Sequence, residues 1–439
     1  MAKVAPMGPA VLTKAEPLFK REAGQHFSQP SICTCTWFSG DCIAAAEAHL
    51  AARLRLVLDA NPWVAGKFQK LKGSGKKRKL HLVHPVNGSD VKVESILEVR
   101  TTLVEGLTMN TPYAETVKLC EPLTCGKTGK AMLKARRPVS KLLLAPAEGG
   151  FVMVFSMSHA VADGFTYYEI LNMLGEGDEV PIKALRFTRK MEYQDHHEKR
   201  LMGARDHNYL TSGAFIKAMV GGALFGKTTA KGLKSCTPIA YHVDAEKVEA
   251  AKAEAKGVPF VSTNDVITSH FLRACRVRMA FMTINYRHPK RWAEIGDGMD
   301  AGNYEGCLLS DPAGHETPAA VREALSPNKD GAFSGIAPTA KLPGLCGSAT
   351  WAFITSWASL GSSGAPFDLS CGGAAKQTLH LPIMFMDFKT CPMDVAVVFR
   401  AQPTRLAVLY LAKRAGPHEL REEGSILGAS VSEGMFPQG

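Results

Sequence analysis

The chain has 439 residues, of which 46% are hydrophobic and 21% charged, an ordinary globular balance. That length exceeds what one hydrophobic core usually serves, so two domains are expected, and no apolar run approaches the length of a membrane-spanning helix. The net charge of +11 (52 Lys and Arg against 41 Asp and Glu) by itself admits nucleic acid, membrane or an anionic small molecule as partner.

The N-terminus lacks the apolar segment of a secretory signal, so a cytoplasmic protein is expected; its first fifteen residues carry no acid, which leaves a short organelle-targeting peptide open. Eleven scattered cysteines include no C-x-x-C. Cys33 and Cys35 alternate on a predicted strand and nothing nearby completes a zinc site, so reduced thiols and no metal are expected.

In chain order, residues 42–58 combine good helix formers with apolar positions at helical spacing, and Asn61-Pro62 ends that helix. Residues 64–68 and 80–85 read as strands around a solvated basic hairpin tip, with Lys70, Lys72, Lys76, Lys77, Arg78 and Lys79 near Gly73-Ser74-Gly75. Residues 91–96 read as another strand. Residues 142–146 and 151–158 read as a strand pair joined by a turn at Ala147-Glu148-Gly149-Gly150. Phe165, Tyr168, Leu171 and Leu174 then recur every three residues and predict an amphipathic helix. Residues 192–208 read as a solvated helix in spite of His196, His197 and His207, because Lys199, Arg200 and Arg205 lie among them.

Gly213–Gly226 is apolar, glycine-rich and too short to span a bilayer. It reads as an interdomain crossover, with contact to a membrane surface or the lining of an apolar tunnel as alternatives. Gly221–Thr228 satisfies G-x-x-x-x-G-K-[ST], the phosphate-cradling loop, but Gly232 and Pro238 cut short the helix that loop requires. After Pro238 the pattern starts again, with a strand at 239–243 and a surface helix at 245–256. Ser262 to Asp265 supply capping chemistry for a helix over 266–279. Further strands are expected at 281–286, 352–357, 378–386, 394–401 and 406–412, the last two as a hairpin. A second acid-free basic run holds Arg273, Arg276, Arg278, Arg287, Lys290 and Arg291. Neither basic run has the interleaved aromatics of a single-strand binder, and nucleic acid is not expected as a partner.

The candidate chemistry concentrates in Phe151–Gly164, FVMVFSMSHAVADG. Its apolar half suits a strand buried on both faces, and a histidine at the end of such a strand can reach a cleft. Imidazole is the side chain best suited to take a proton near neutral pH. Asp163 belongs to the turn after His159, and Gly164 permits a backbone angle that other residues resist. From these residues alone, a core histidine beside an Asp-Gly turn is an equal reading.

Other segments bear on that choice. They are N-P-W-V-A-G-K-F at 61–68, S-H-A-V-A-D-G at 158–164, S-T-N-D-V-I-T at 262–268, I-N-Y-R at 284–287 with A-G-N at 301–303, and I-T-S-W at 354–357 with F-D-L-S-C-G at 367–372. Together and in this order they resemble the BAHD acyltransferases, a branch of the coenzyme A-dependent acyltransferase superfamily that also holds chloramphenicol acetyltransferase and peptide-synthetase condensation domains. One departure stands out: Asp368 and Gly372 keep the ends of the family's D-F-G-W-G motif, and the three residues between them differ.

The resemblance implies an α/β fold of two pseudo-symmetric chloramphenicol acetyltransferase-like domains, mixed sheets flanked by helices, with a channel between them. The halves would be residues 1–190 and 238–439, joined by a crossover at 191–237. It implies His159 as general base in a ternary complex of acyl-CoA and a small-molecule alcohol or amine, with no acyl-enzyme and no permanently bound cofactor. Ester formation is expected ahead of amide formation. Asp163 would pair with Arg287 and, with Gly164 and Asp368, support the site; Arg287 as a phosphate ligand ranks second. Thr355, Ser356 and Trp357 would line the acceptor side, and Arg273, Arg276, Lys290 and Arg291 would meet coenzyme A phosphates. A monomer is expected. Carrier-protein-dependent condensation or a non-catalytic role on the same fold remain the alternatives, with a nucleotide-binding role for Gly221–Thr228 behind them.

Overall fold

Strand Gly150–Met157 is buried over nearly its whole length because it has a core on each side. Phe151, Met153 and Phe155 face a core that includes the helix Ile43–Ala60 and the helix Gly164–Met173, while Val152 and Val154 face a second apolar layer. The computed structural model that shows this describes residues 11–72, 78–176, 180–213, 215, 217, 237–287, 296–328, 331–336, 342, 351–360, 367–386, 393–412, 417–422 and 425–436.

The strand is the centre of a five-stranded sheet. From edge to edge its strands are Lys376–Pro382, Ile32–Ser39, Gly150–Met157, Ser140–Ala147 and Leu97–Val99. The first of these arrives from the far end of the chain and pairs antiparallel with Ile32–Ser39. A seven-stranded sheet holds Glu305–Ser310, Met279–Asn285, Trp351–Ser356, Asp394–Gln402, Arg405–Ala412, Thr237–Val243 and Leu427–Ser430. Val395, Val397, Phe399, Leu409 and Leu411 of this sheet share one apolar layer with Cys33, Cys35, Val152 and Val154 of the other. The exchange runs both ways, since Phe19, near the start of the chain, is fully buried in the second core beside Tyr193 and Tyr304. A small sheet of Thr13–Pro17, Arg78–Pro85 and Lys67–Lys72 carries the basic hairpin.

Several local expectations change. Residues 91–96 are tight turns, not a strand; the Ser95 hydroxyl bonds to the Lys92 carbonyl and the strand begins only at Leu97. The helix expected over 266–279 runs Thr263–Ala274. Ser262 and Asp265 cap it reciprocally, and Arg276, at φ 48°, takes the left-handed turn that ends it. Residues 192–208 are not a freely solvated helix: Tyr193 and Leu201 are buried and Glu198 pairs with Arg21. The strand expected over 378–386 stops at Pro382.

Candidate active site

His159 stands just past the end of Gly150–Met157, in a turn closed by bonds from the Val161 and Ala162 amides to the Ser158 carbonyl. Its side chain is 23% exposed, and it lines a cavity of about 550 Å³. The orientation of Asn303 fixes the tautomer of the neutral ring. Asn303 Nδ2 lies 3.0 Å from Glu22 Oε1 and 2.9 Å from the carbonyl oxygen of His159, both pure acceptors, so this atom must be the amide nitrogen. Asn303 Oδ1 then accepts from His159 Nδ1 at 3.1 Å. With its hydrogen on Nδ1, the neutral imidazole keeps a lone pair on Nε2. Glu22 is itself held by the fully buried Arg189, Nε to Oε2 2.8 Å, and Arg189 also donates to the carbonyls of Ala301 and Val161 on either side of the site.

Both oxygens of Asp163 are engaged by protein donors. One oxygen accepts from the Thr166 amide at 2.9 Å and caps the helix Gly164–Met173. The other accepts from Arg287 Nη1 at 2.7 Å and the Tyr304 amide at 3.2 Å. Arg287 is buried and also donates to the Asp300 carbonyl, the Gly302 carbonyl and Thr166 Oγ1. The structure thus joins Asp163 to Arg287, and every donor of that guanidinium faces protein, which leaves no place for a phosphate. Strands Met279–Asn285 and Glu305–Ser310 are antiparallel neighbours with Asn285 opposite Glu305, which brings I-N-Y-R and A-G-N together beside the H-x-x-x-D-G turn. Gly164 acts differently from the expectation. Its φ lies outside the left-handed region, and a Cβ there would meet Leu360 Cδ1 at 2.7 Å, the movable end of a side chain, so this position does not use the freedom of angle that glycine alone has. Gly302, at φ +124° and against the Arg189 guanidinium, needs its freedom of angle as well as the space.

A second carboxylate faces the base. Glu305 Oε1 is 3.9 Å from His159 Nε2, and Glu305 lines the same cavity. Burial raises its carboxyl above the ordinary range, with Asp163 adding to the rise, while His159, Arg21 and Arg287 pull it down. His26 stacks on His159 with ring centroids 4.7 Å apart and planes 29° apart. Burial, then His159 and Arg21, hold His26 neutral, well below the usual imidazole range. Ligand atoms of His26, His159 and Glu305 lie within 4.8 Å of one another. A tetrahedral zinc ion holds its donors about 3.3 Å apart. His159 Nε2 and Glu305 Oε1, 3.9 Å apart, stand wider than that.

The cavity wall places the remaining candidates. Thr355, Ser356 and Trp357 line it and are half-buried, and Thr355 accepts a hydrogen bond from Thr283 of the neighbouring strand at 2.9 Å. Ile383 to Met386, past the end of the strand at Pro382, add an apolar wall with Phe353 and Leu360. Ser262, Asn264 and Asp265 line the cavity from the first turn of their helix, and Arg322 joins them, tied to Asp265. Arg273 and Arg276 are exposed at the other end of that helix, on the order of 13 Å along its axis. They do not line the cavity, and Arg276 serves as the helix-ending residue. Lys290, Arg291 and Gly221–Thr228 lie outside the described residues.

Asp368 corrects another expectation. Its side chain is exposed and has no hydrogen bond or ion pair among the described residues; its backbone carbonyl accepts from Glu176. Glu176 instead organises the loop. Its carboxylate takes the Ser370 hydroxyl at 2.8 Å and the Cys371 amide at 2.8 Å, where Cys371, Gly372 and Gly373 are successive positive-φ residues. Glu22, His26, Glu176, Asn303 and Glu305 escaped the sequence reading. Only Asn303 carried a signal, as the last residue of A-G-N.

No protein-family profile matches this sequence, and no curated protein matches it. Solved structures do match. TRI101 of F. graminearum complexed with ethyl coenzyme A aligns with a TM-score of 0.63 at 12% identity, over 96% of this chain and 100% of that one. TRI101 of F. sporotrichioides complexed with coenzyme A and T-2 gives 0.62 at 14% identity, with the same coverage. The first condensation domain of the calcium-dependent antibiotic synthetase, in complex with a substrate analogue, gives 0.53 at 15% identity, over 96% and 98%. The chain therefore has the two-domain, chloramphenicol acetyltransferase-like fold that these proteins share.

Proposed function

We propose that this protein moves an acyl group from a coenzyme A thioester to a hydroxyl or amine of a small-molecule acceptor, with His159 as general base. The observation that carries this reading is the setting of His159: Nδ1 is committed to Asn303, so the neutral ring has its lone pair on Nε2, in a residue that lines a cavity of about 550 Å³. An alcohol or amine attacks poorly until its proton has somewhere to go, and general-base help is worth about 10²–10⁴-fold. His159 takes that proton as the nucleophile attacks the thioester carbonyl. The C–S bond then breaks with its electron pair on sulfur, and the imidazolium returns the proton to the thiolate. Asp163 and Arg287 brace the turn that carries His159. The bound coenzyme A of the TRI101 structures supports the choice of donor. The Thr355–Trp357 and Ile383–Met386 walls form the acceptor side.

A second reading, acyl transfer from a carrier protein, is favoured by the match to a condensation domain. Mixing the protein with free acyl-CoA thioesters and trial acceptors, then following thiol release and new products by mass, separates the two. Release that depends on acceptor, and falls about 10²–10⁴-fold in His159→Ala at an unchanged melting temperature, is the expected result. Release that persists without acceptor means thioester hydrolysis and sinks the transferase reading.

A further inference from the structure

Glu305 is a carboxylate left unanswered in a wall where other acids are answered. Asp163 has three donors, and Asp265 has Arg322. Arg21 and Tyr193 reach Glu305 only at its backbone carbonyl. No described residue donates to its carboxylate, although the side chain is three-quarters buried. His159 Nε2 lies 3.9 Å from its Oε1, too far for a hydrogen bond. With the ring hydrogen on Nδ1, Nε2 of the neutral imidazole is an acceptor too. Two acceptors therefore face one point in the cavity, and a single atom about 2.8–3.0 Å from both can satisfy them only if it carries two hydrogens.

From this geometry, and resting on the acyltransferase reading above, we propose that the acceptor is a primary amine and that Glu305 is a second catalytic residue beside His159. An alcohol has one hydrogen to give and leaves one acceptor bare. A neutral Glu305 could donate to an alcohol oxygen, but that bond would draw on the lone pair needed for attack. An ammonium group answers both acceptors and favours the ionised form of a carboxylate that burial disfavours.

The proton count agrees. An alkylammonium ion must lose two protons to become an amide nitrogen. Glu305 takes the first and frees the nitrogen lone pair. The C–N bond forms, and His159 Nε2 takes the second proton as the C–S bond breaks and its electron pair leaves on sulfur. The imidazolium protonates the thiolate, and Glu305 releases its proton to solvent. The groups that face Glu305 during this cycle are His159, Asp163, Arg21, Arg287 and Cys307, with His26 stacked behind His159. The apolar wall at Phe353, Trp357, Leu360 and Met384–Met386 favours an amine on a hydrophobic body.

Matched probes test this. Hexylamine and hexanol are each incubated with the full-length protein and acetyl-CoA, with His159→Ala subtracted for uncatalysed aminolysis. In parallel, binding of each probe to the protein without acetyl-CoA is followed by melting temperature. Amide should exceed ester at least 10-fold, Glu305→Gln should lower amide formation about 100-fold, and only hexylamine should raise the melting temperature, in a Glu305-dependent way. Ester equal to or above amide, with Glu305→Gln unchanged, overturns the role of Glu305 and leaves the transferase standing. No His159-dependent product from either probe overturns the transferase. In that event the melting arm alone decides whether Glu305 binds an amine, and equal shifts from the two probes refute it.

Discussion

Two carboxylates flank His159, and their surroundings are opposite. Asp163 is engaged on both oxygens: two backbone amides and a buried guanidinium donate to it, and the turn that carries His159 hangs from them. Glu305 faces the cavity with no donor among the described residues. The two acids come from opposite halves of the chain and meet at one histidine. A carboxylate with donors on both oxygens holds shape, and one with donors on neither is open to a ligand. Position in a motif does not separate the two roles; the count of donors does.

The largest effect that can break this contrast is at the brace. Asp163→Asn should leave Arg287 as a buried charge without its partner, a loss of about 3–5 kcal/mol in unfolding free energy, and activity should fall with stability. Arg287→Ala should do the same from the other side. Chemical denaturation of the variants measures it. Lost activity at undiminished stability would move Asp163 from structure to chemistry and dissolve the contrast.

A smaller effect belongs to Asn303. Asn303→Ala removes the acceptor that holds the hydrogen on His159 Nδ1 and a donor to Glu22. A buried hydrogen bond to a charged group is worth about 1.5–3 kcal/mol, so a 10- to 100-fold fall in turnover is expected. Imidazole ¹⁵N resonances should show the Nδ1-protonated form in the wild type and a mixture of tautomers in the variant. An unchanged tautomer in Asn303→Ala would mean that Asn303 does not set the state of the base.

The brace was legible in the sequence and the open acid was not, for a physical reason. H-x-x-x-D-G, I-N-Y-R and A-G-N are short segments whose residues meet through strand pairing, so their order along the chain carries the geometry. The buried strand pair and the helix after Gly164 were legible for the same kind of reason: unbroken apolar runs and threefold spacing. Glu305 lies two residues beyond Asn303, yet its meaning depends on donors that are missing, and a missing contact leaves no pattern. Glu22 is 281 residues from Asn303, in a segment with no periodicity to mark it. The loop at 367–372 reverses the lesson. Its aspartate fitted a motif, but Glu176, from the other half of the chain, supplies the anchoring carboxylate.

The smallest effect gives the sharpest contrast, because it reverses sign between the two acids. Burial raises the Glu305 carboxyl above its ordinary value of 4.5, so the folded protein disfavours the ionised form relative to the unfolded chain. A raised acid contributes stability that is fully present below about pH 4.5 and is lost as pH rises through the folded value. Glutamine cannot ionise and escapes that loss. Glu305→Gln should therefore melt slightly above the wild type at pH 8. The advantage should shrink toward zero as pH falls to 4.5. Asp163→Asn removes the same single charge and should melt lower at pH 8. If Glu305→Gln also melted lower there, Glu305 would have partners in the folded state, and both its openness to a ligand and its difference from Asp163 would be lost.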